Sequence, residues 1–125
     1  MVGKRMKVNF SNAFKRRMLT LDDNMRQAVL SFVAHVRTYG LYGLRGRNKS
    51  SMPINPRTKR QQLQYAYTQK YCLWHYHIGI PCYVGEHGDM TSEYILHYQR
   101  FDDEIILVGL LPHPPFRLPS KQEVL

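Results

Sequence analysis

Six histidines are spread over the 125 residues, and three of them fall where one substrate could meet them together. In the run YCLWHYHIGI, alternation puts Cys72, Trp74, Tyr76 and Ile78 on one side of a strand and Tyr71, Leu73, His75 and His77 on the other. His75 and His77 then lie side by side, about 7 Å apart along the backbone. Further on, Pro112, Pro114 and Pro115 flank His113 and hold it with Phe116 in a stiff, non-helical exit from a later strand. Imidazole is the side chain best suited to moving protons near neutral pH, and an aromatic ring beside it can stack on a nucleobase.

RNA is the substrate that asks least of such a set, because it carries its own nucleophile. A protein need only align the 2′-hydroxyl with the adjacent phosphate, remove its proton, neutralise the developing charge and protonate the leaving 5′ oxygen. On this reading His113 is the general acid or base, and His75 and His77 share the complementary role and the charge stabilisation. Glu93 orients a partner or accepts a proton, Tyr94 and Phe116 stack on splayed bases, and Arg45, Arg47 and Lys49 hold phosphates. No metal or other cofactor is required.

Each assignment has a plainer competitor. Polar alternation on a solvent-facing sheet would leave His75 and His77 merely half exposed, and Tyr94 fits ordinary strand packing as well as base stacking. His97, between Leu96 and Tyr98, reads as a satisfied, partly buried histidine rather than a catalytic one. Cys72, Cys82, His75 and His77 look like a zinc ligand list, yet Cys72 falls on the strand face opposite the histidines, and structural zinc needs four convergent ligands. The chain contains no Gly-rich phosphate loop, paired-carboxylate site or nucleophile elbow, which excludes hydrolases built on those devices.

The elements that must position these groups are legible from periodicity. Lys7 to Phe10 alternates as an edge strand, and Ser11 caps a helix that buries Phe14 and Met18 while Lys15, Arg16 and Arg17 face water. Asp22 and Asp23 open a second helix in which Met25, Ala28, Val29, Phe32, Val33 and Val36 recur every three or four residues, and Gly40 ends it. Residues 41–58 read as a long basic loop and Thr58 to Thr68 as a short third helix, followed by strands in YCLWHYHIGI, EYILHYQ and EIILVGLL. The expected fold is α+β: one domain over residues 1–125, with an N-terminal helical hairpin packed on a small antiparallel β-sheet whose other face is free to bind.

Composition bounds the partners. Hydrophobic residues make up 43% and aromatics 12%, enough for a core and against disorder. The longest uninterrupted apolar run, the seven residues from Ile105 to Leu111, is far short of the roughly twenty residues a membrane helix needs. The basic start is not followed by an apolar stretch and a cleavage site, so a cytoplasmic location with free thiols at Cys72 and Cys82 is expected. Residues 1–60 hold 14 Lys and Arg against Asp22 and Asp23, whereas residues 61–125 hold four basic and seven acidic residues. A basic half of this kind attracts nucleic acid or an acidic protein.

The order of elements over about residues 8–116, and above all the segment EYILHYQRFDDEIILVGLLPHPPF from Glu93 to Phe116, resembles the RelE/ParE superfamily of toxins from bacterial type II toxin–antitoxin systems. The nearest branch is that of YafQ-like and RelE-like mRNA interferases. In that branch the last strand runs into a catalytic histidine followed by an aromatic residue, which correspond to His113 and Phe116. An acidic and an aromatic residue open the strand before it, matching Glu93 and Tyr94, and His75 and His77 stand where RelE-like members carry an alternating basic pair. The spacing from His113 to Phe116 is one residue shorter than in YafQ-like chains, and GEHGDMTS, which contains His87, lengthens a connection. The resemblance implies a ribosome-dependent endoribonuclease that cleaves mRNA in the A site of the 70S ribosome, without metal, and is held by a cognate antitoxin protein. The alternatives are a non-enzymatic ParE-type inhibitor of DNA gyrase and a plain RNA-binding domain.

Overall fold

A computed structural model describes residues 4–114 and 116–124; Pro115, one of the prolines expected to stiffen the exit, lies outside them. Strand β1 (Lys7–Phe10) leads into helix α1 (Asn12–Thr20), whose N-cap Ser11 accepts a hydrogen bond from the Phe14 N–H at 3.1 Å. Helix α2 (Asp23–Tyr39) starts in the same way, with Asp22 accepting from the Met25 N–H at 2.8 Å. It stops at Gly40, whose φ of +68° belongs to the region glycine tolerates, and where a Cβ would lie 1.9 Å from the Lys4 carbonyl oxygen. Then come β2 (Asn48–Ser50), α3 (Lys59–Lys70) behind a capping box of Thr58 and Gln61, β3 (Leu73–His77), β4 (Tyr94–Arg100), β5 (Glu104–Pro112) and α4 (Lys121–Val124).

The five strands form one sheet in the order β1-β5-β4-β3-β2. The sheet is mixed rather than antiparallel, because β1 pairs parallel with β5 while the other neighbours are antiparallel. No hairpin joins β1 to β5; α1, α2, α3 and the remaining strands lie between them in the chain, so no local turn imposes direction. The segment expected as a loop over residues 41–58 also holds a strand. β2 is too short and polar, with the sequence NKS, to show a period, yet it pairs Lys49 with His75 and Ser50 with Trp74.

On one face of the sheet, Val29, Phe32, Val33 and Val36 of α2 pack with Val8, Tyr76, Leu96, Tyr98, Ile105 and Leu107. Phe32 stacks on Tyr76 with ring centroids 4.9 Å apart. Full burial of such side chains is worth about 1.5–3 kcal/mol each, which makes this layer the main source of stability. The opposite face is not free. Tyr67, Tyr71, Leu118 and Val124 cover its middle by packing on Leu73 and Val108, and the Tyr67 hydroxyl donates to the Pro119 carbonyl at 2.6 Å. A bulge supports this second layer: His97 pairs with Gly109 and Tyr98 with Leu107, leaving Val108 as the extra residue. Few and scattered apolar positions in α3 and the C-terminal segment build the layer, so no amphipathic period marks it beforehand.

Candidate active site

Beyond that second layer the sheet carries histidines. Strand alternation in β3 sends Trp74, Tyr76 and Ile78 to the α2 side and Leu73, His75 and His77 to the other, as expected. In β4, His97 sits directly across from His75. The ring centroids of His75 lie 6.3 Å from those of His77 and 6.1 Å from those of His97. His113 follows β5, where its N–H donates to the Glu93 carbonyl at 2.8 Å and its ring packs edge-on against His77 at 5.1 Å. Phe116 completes the group, 5.0 Å from His75 and 5.7 Å from His97.

The cluster is more buried than a solvent-facing sheet would make it: His75 is 6% exposed, His77 4% and His97 1%. His75 Nδ1 and the Ser51 hydroxyl are 2.8 Å apart. Ser51 is pinned there by its own N–H, which donates to the Leu73 carbonyl at 3.0 Å. His77 Nδ1 lies 3.0 Å from the Ser92 N–H and 3.1 Å from the Ser92 carbonyl. A hydroxyl donates or accepts, and the N–H and carbonyl of Ser92 do one each, so both partners satisfy Nδ1 whether the ring is neutral or protonated. His75 and His77 therefore each anchor Nδ1 to the scaffold, and neither Nε2 has a hydrogen-bond partner among the described residues.

Burial sets the charge state. It pushes the His75 imidazolium down to about 4, helped by like charge from His77, Lys49 and His113. His77 is lowered too, chiefly by burial and then by His113 and Arg47, with the Ser92 backbone pulling the other way. Both rings are neutral bases at pH 7. His97 is lowered to about 3 by burial and by His75, and its Nδ1 finds no hydrogen-bond partner among the described residues. That corrects the expectation of a satisfied, partly buried histidine. An unpartnered buried nitrogen destabilises the fold, and His97 backs Phe116 at the centre of the cluster.

The remaining expected residues separate. Lys49, exposed on β2, lines a cleft with His75 and Phe116. Arg47 is engaged in an ion pair, its Nε 2.7 Å from Asp89, which raises its own pKa and holds the Asp89 carboxyl below the usual range. Arg45 lies over the Tyr83 ring and lines a cavity on the α2 side of the sheet. Tyr94 packs with the α2 core, on the face away from the histidines, so base stacking by Tyr94 is corrected. Its position in β4 has the parity of Leu96 and Tyr98, which are core residues. Glu93 is exposed and meets His113 through the main chain. His87 is exposed in its connection, and Cys72 and Cys82 are free thiols. Ser51 and Ser92 were not singled out by sequence, since a hydroxyl and a backbone contact carry no spacing signal. Among the described residues no three His, Cys, Asp or Glu side chains are arranged to hold a metal ion, and no helix is long and apolar enough to cross a membrane.

Comparison with protein-family models, with curated proteins and with solved structures returns no match for this chain. The functional reading therefore rests on the residues, their geometry and the resemblance of the sequence.

Proposed function

We propose that this chain is a metal-independent endoribonuclease, the toxin of a RelE/ParE-type toxin–antitoxin pair, cleaving mRNA in the ribosomal A site. The observation that supports this most is the group of His75, His77 and His113 beside Phe116, with Nδ1 of His75 and of His77 anchored and both rings neutral at pH 7. Nε2 of His77 or His75 takes the proton of the RNA 2′-hydroxyl as O2′ forms its bond to phosphorus. His113 gives a proton to the 5′ oxygen as the P–O5′ bond breaks. The products are a 2′,3′-cyclic phosphate and a 5′-hydroxyl. The two rings are 5.1 Å apart, and charge on His113 helps to keep His77 neutral, which suits His77 to act as the base beside it. Lys49 supplies positive charge at the rim, and the basic N-terminal half supplies longer-range attraction to the ribosome. The cognate antitoxin and the ribosome enter as partners through the resemblance.

Brief induction in growing cells followed by primer extension tests this reading. Cuts within translated codons, with 5′-hydroxyl ends and insensitive to chelator in a purified translation system, are expected. Cleavage abolished by EDTA while ribosomes stay intact, and restored by zinc alone, would overturn the mechanism.

A further inference from the structure

On the α2 side of the sheet, opposite the histidine group, a cavity of about 390 Å³ opens between α2, the segment that leads into β2 and the start of the connection from β3 to β4. That volume lies within the range of small-molecule pockets. Phe32, Leu44 and Ile78 give it apolar surface, and His35, Arg45 and Tyr83 bring polar groups, with no carboxylate among its described lining residues. The segment from Gly43 to Gly46 closes one side. Gly43 has a φ of +77°, and a Cβ there would lie 3.8 Å from the His35 ring, while the Gly46 N–H donates to the Tyr76 hydroxyl at 3.1 Å.

The hydrogen bonds around this cavity leave donors over. The Tyr76 and Tyr83 hydroxyls are 2.7 Å apart, and Tyr76 is 4% exposed. Its oxygen already accepts from Gly46, and among the described residues only the Tyr83 oxygen is placed to take its hydrogen, so Tyr76 donates and Tyr83 keeps its own hydrogen for the cavity. Burial and the bond with Tyr76 push the Tyr83 pKa up from its ordinary value, which keeps this phenol a donor at neutral pH. The exposed Arg45 guanidinium lies over the Tyr83 ring, 5.1 Å from the centroid, and makes no ion pair or hydrogen bond with a described residue. His35 Nε2 gives its hydrogen to the Tyr42 carbonyl at 2.6 Å, which leaves Nδ1 open.

We infer that this cavity binds a small organic oxyanion, a carboxylate or a phosphate monoester carried on a compact apolar body. The Arg45 guanidinium takes two oxygens of the head as a fork, and the Tyr83 hydroxyl donates to one of them. Phe32, Leu44 and Ile78 hold the body. A cationic ligand meets only like charge here, and a neutral one leaves the guanidinium unmatched, so the head group is the selecting feature. The cavity shares no lining residue with the group of His75, His77 and His113, and its occupancy does not depend on the ribonuclease reading.

The test is an NMR titration of the full chain with phenyl phosphate and with benzoate, using inorganic phosphate and phenol as controls that lack the apolar body or the charge. At least one of the two anions is expected to saturate at millimolar concentration or below, to shift the Gly43, Arg45, Gly46 and Tyr83 resonances, and to bind about tenfold more tightly than either control. Which anion does so identifies the head group. Arg45→Gln should weaken that binding about tenfold, the worth of a charge-assisted hydrogen bond, and Tyr83→Phe about fivefold. Lys15→Gln, an equal loss of charge on α1 outside the lining, should leave it unchanged. Arg45 is exposed, so its variant keeps the test intact even where Tyr83→Phe, which deprives Tyr76 of its acceptor, fails to fold. Inorganic phosphate or phenol binding as tightly as the better anion would overturn the site. Equal weakening by Arg45→Gln and Lys15→Gln, or no shift of these resonances with either anion, would do the same.

Discussion

Acidification should unfold this protein through its buried histidines. In the unfolded chain His75 and His97 each take up a proton near pH 6.5, whereas in the fold they resist protonation down to about 4 and about 3. The unfolded state therefore binds more protons across that window, and stability rises with pH. The contribution of each is complete above pH 6.5 and is lost as pH falls toward the folded value. At about 1.36 kcal/mol per pH unit and per proton, the linkage at His75 alone is on the order of 3 kcal/mol. That is a large fraction of the 5–15 kcal/mol by which domains are normally stable. Near pH 5 the two rings together should give a slope approaching two protons, with His77 adding in the same direction. Urea unfolding followed by the fluorescence of Trp74 at half-unit steps from pH 7.5 to 4.5 measures it. His97→Leu should remove about one proton from that slope and, by deleting an unpartnered buried nitrogen, leave stability at pH 7 equal or higher by about 1 kcal/mol. A stability that is flat between pH 7 and 5, or a His97→Leu slope equal to the parent's, would refute this account of the cluster.

On the proposed ribonuclease reading, His113→Ala should leave the fold and binding to a cognate antitoxin intact, since the residue follows a strand and is only half buried, and should lower RNA cleavage by about 10²- to 10⁴-fold. A soluble, antitoxin-competent His113→Ala protein as toxic as the parent would favour a ParE-type inhibitor instead. Lys49→Gln should reduce the log–log salt slope of ribosome or RNA binding by about 0.7–0.9, whereas Arg47→Gln should change it less because Asp89 already occupies that guanidinium; equal losses would show that the ion pair opens on binding. Gly46→Ala should strip the basic segment from β3, because a Cβ there would lie 2.0 Å from the His77 carbonyl oxygen. A crystal structure of that variant with residues 45–49 unmoved would count against this packing.

Much of the scaffold is local and so was readable from the chain. Ser11 caps the first helix, Asp22 opens the second and Gly40 stops it, and alternation assigned His75 and His77 to one strand face and Trp74 and Tyr76 to the other. These features depend on one residue's chemistry or on a period of two or three and a half. The same parity, applied to β4, puts Tyr94 with Leu96 in the core, although the resemblance had placed it at the site. What only the tertiary structure decided are the non-local pairings. The parallel contact of β1 with β5, the pairing of NKS with β3, and the second layer built from α3 and the C-terminal segment join positions far apart in the chain. Register between β3 and β4 set His97 opposite His75, and the pairing of β2 with β3 brought Ser51 to the His75 Nδ1 and separated Arg45 from Lys49. Residue types and local spacing specify which groups are available. Burial and cross-strand register, which arise only when distant segments share one core, decide which of them meet and in what charge state.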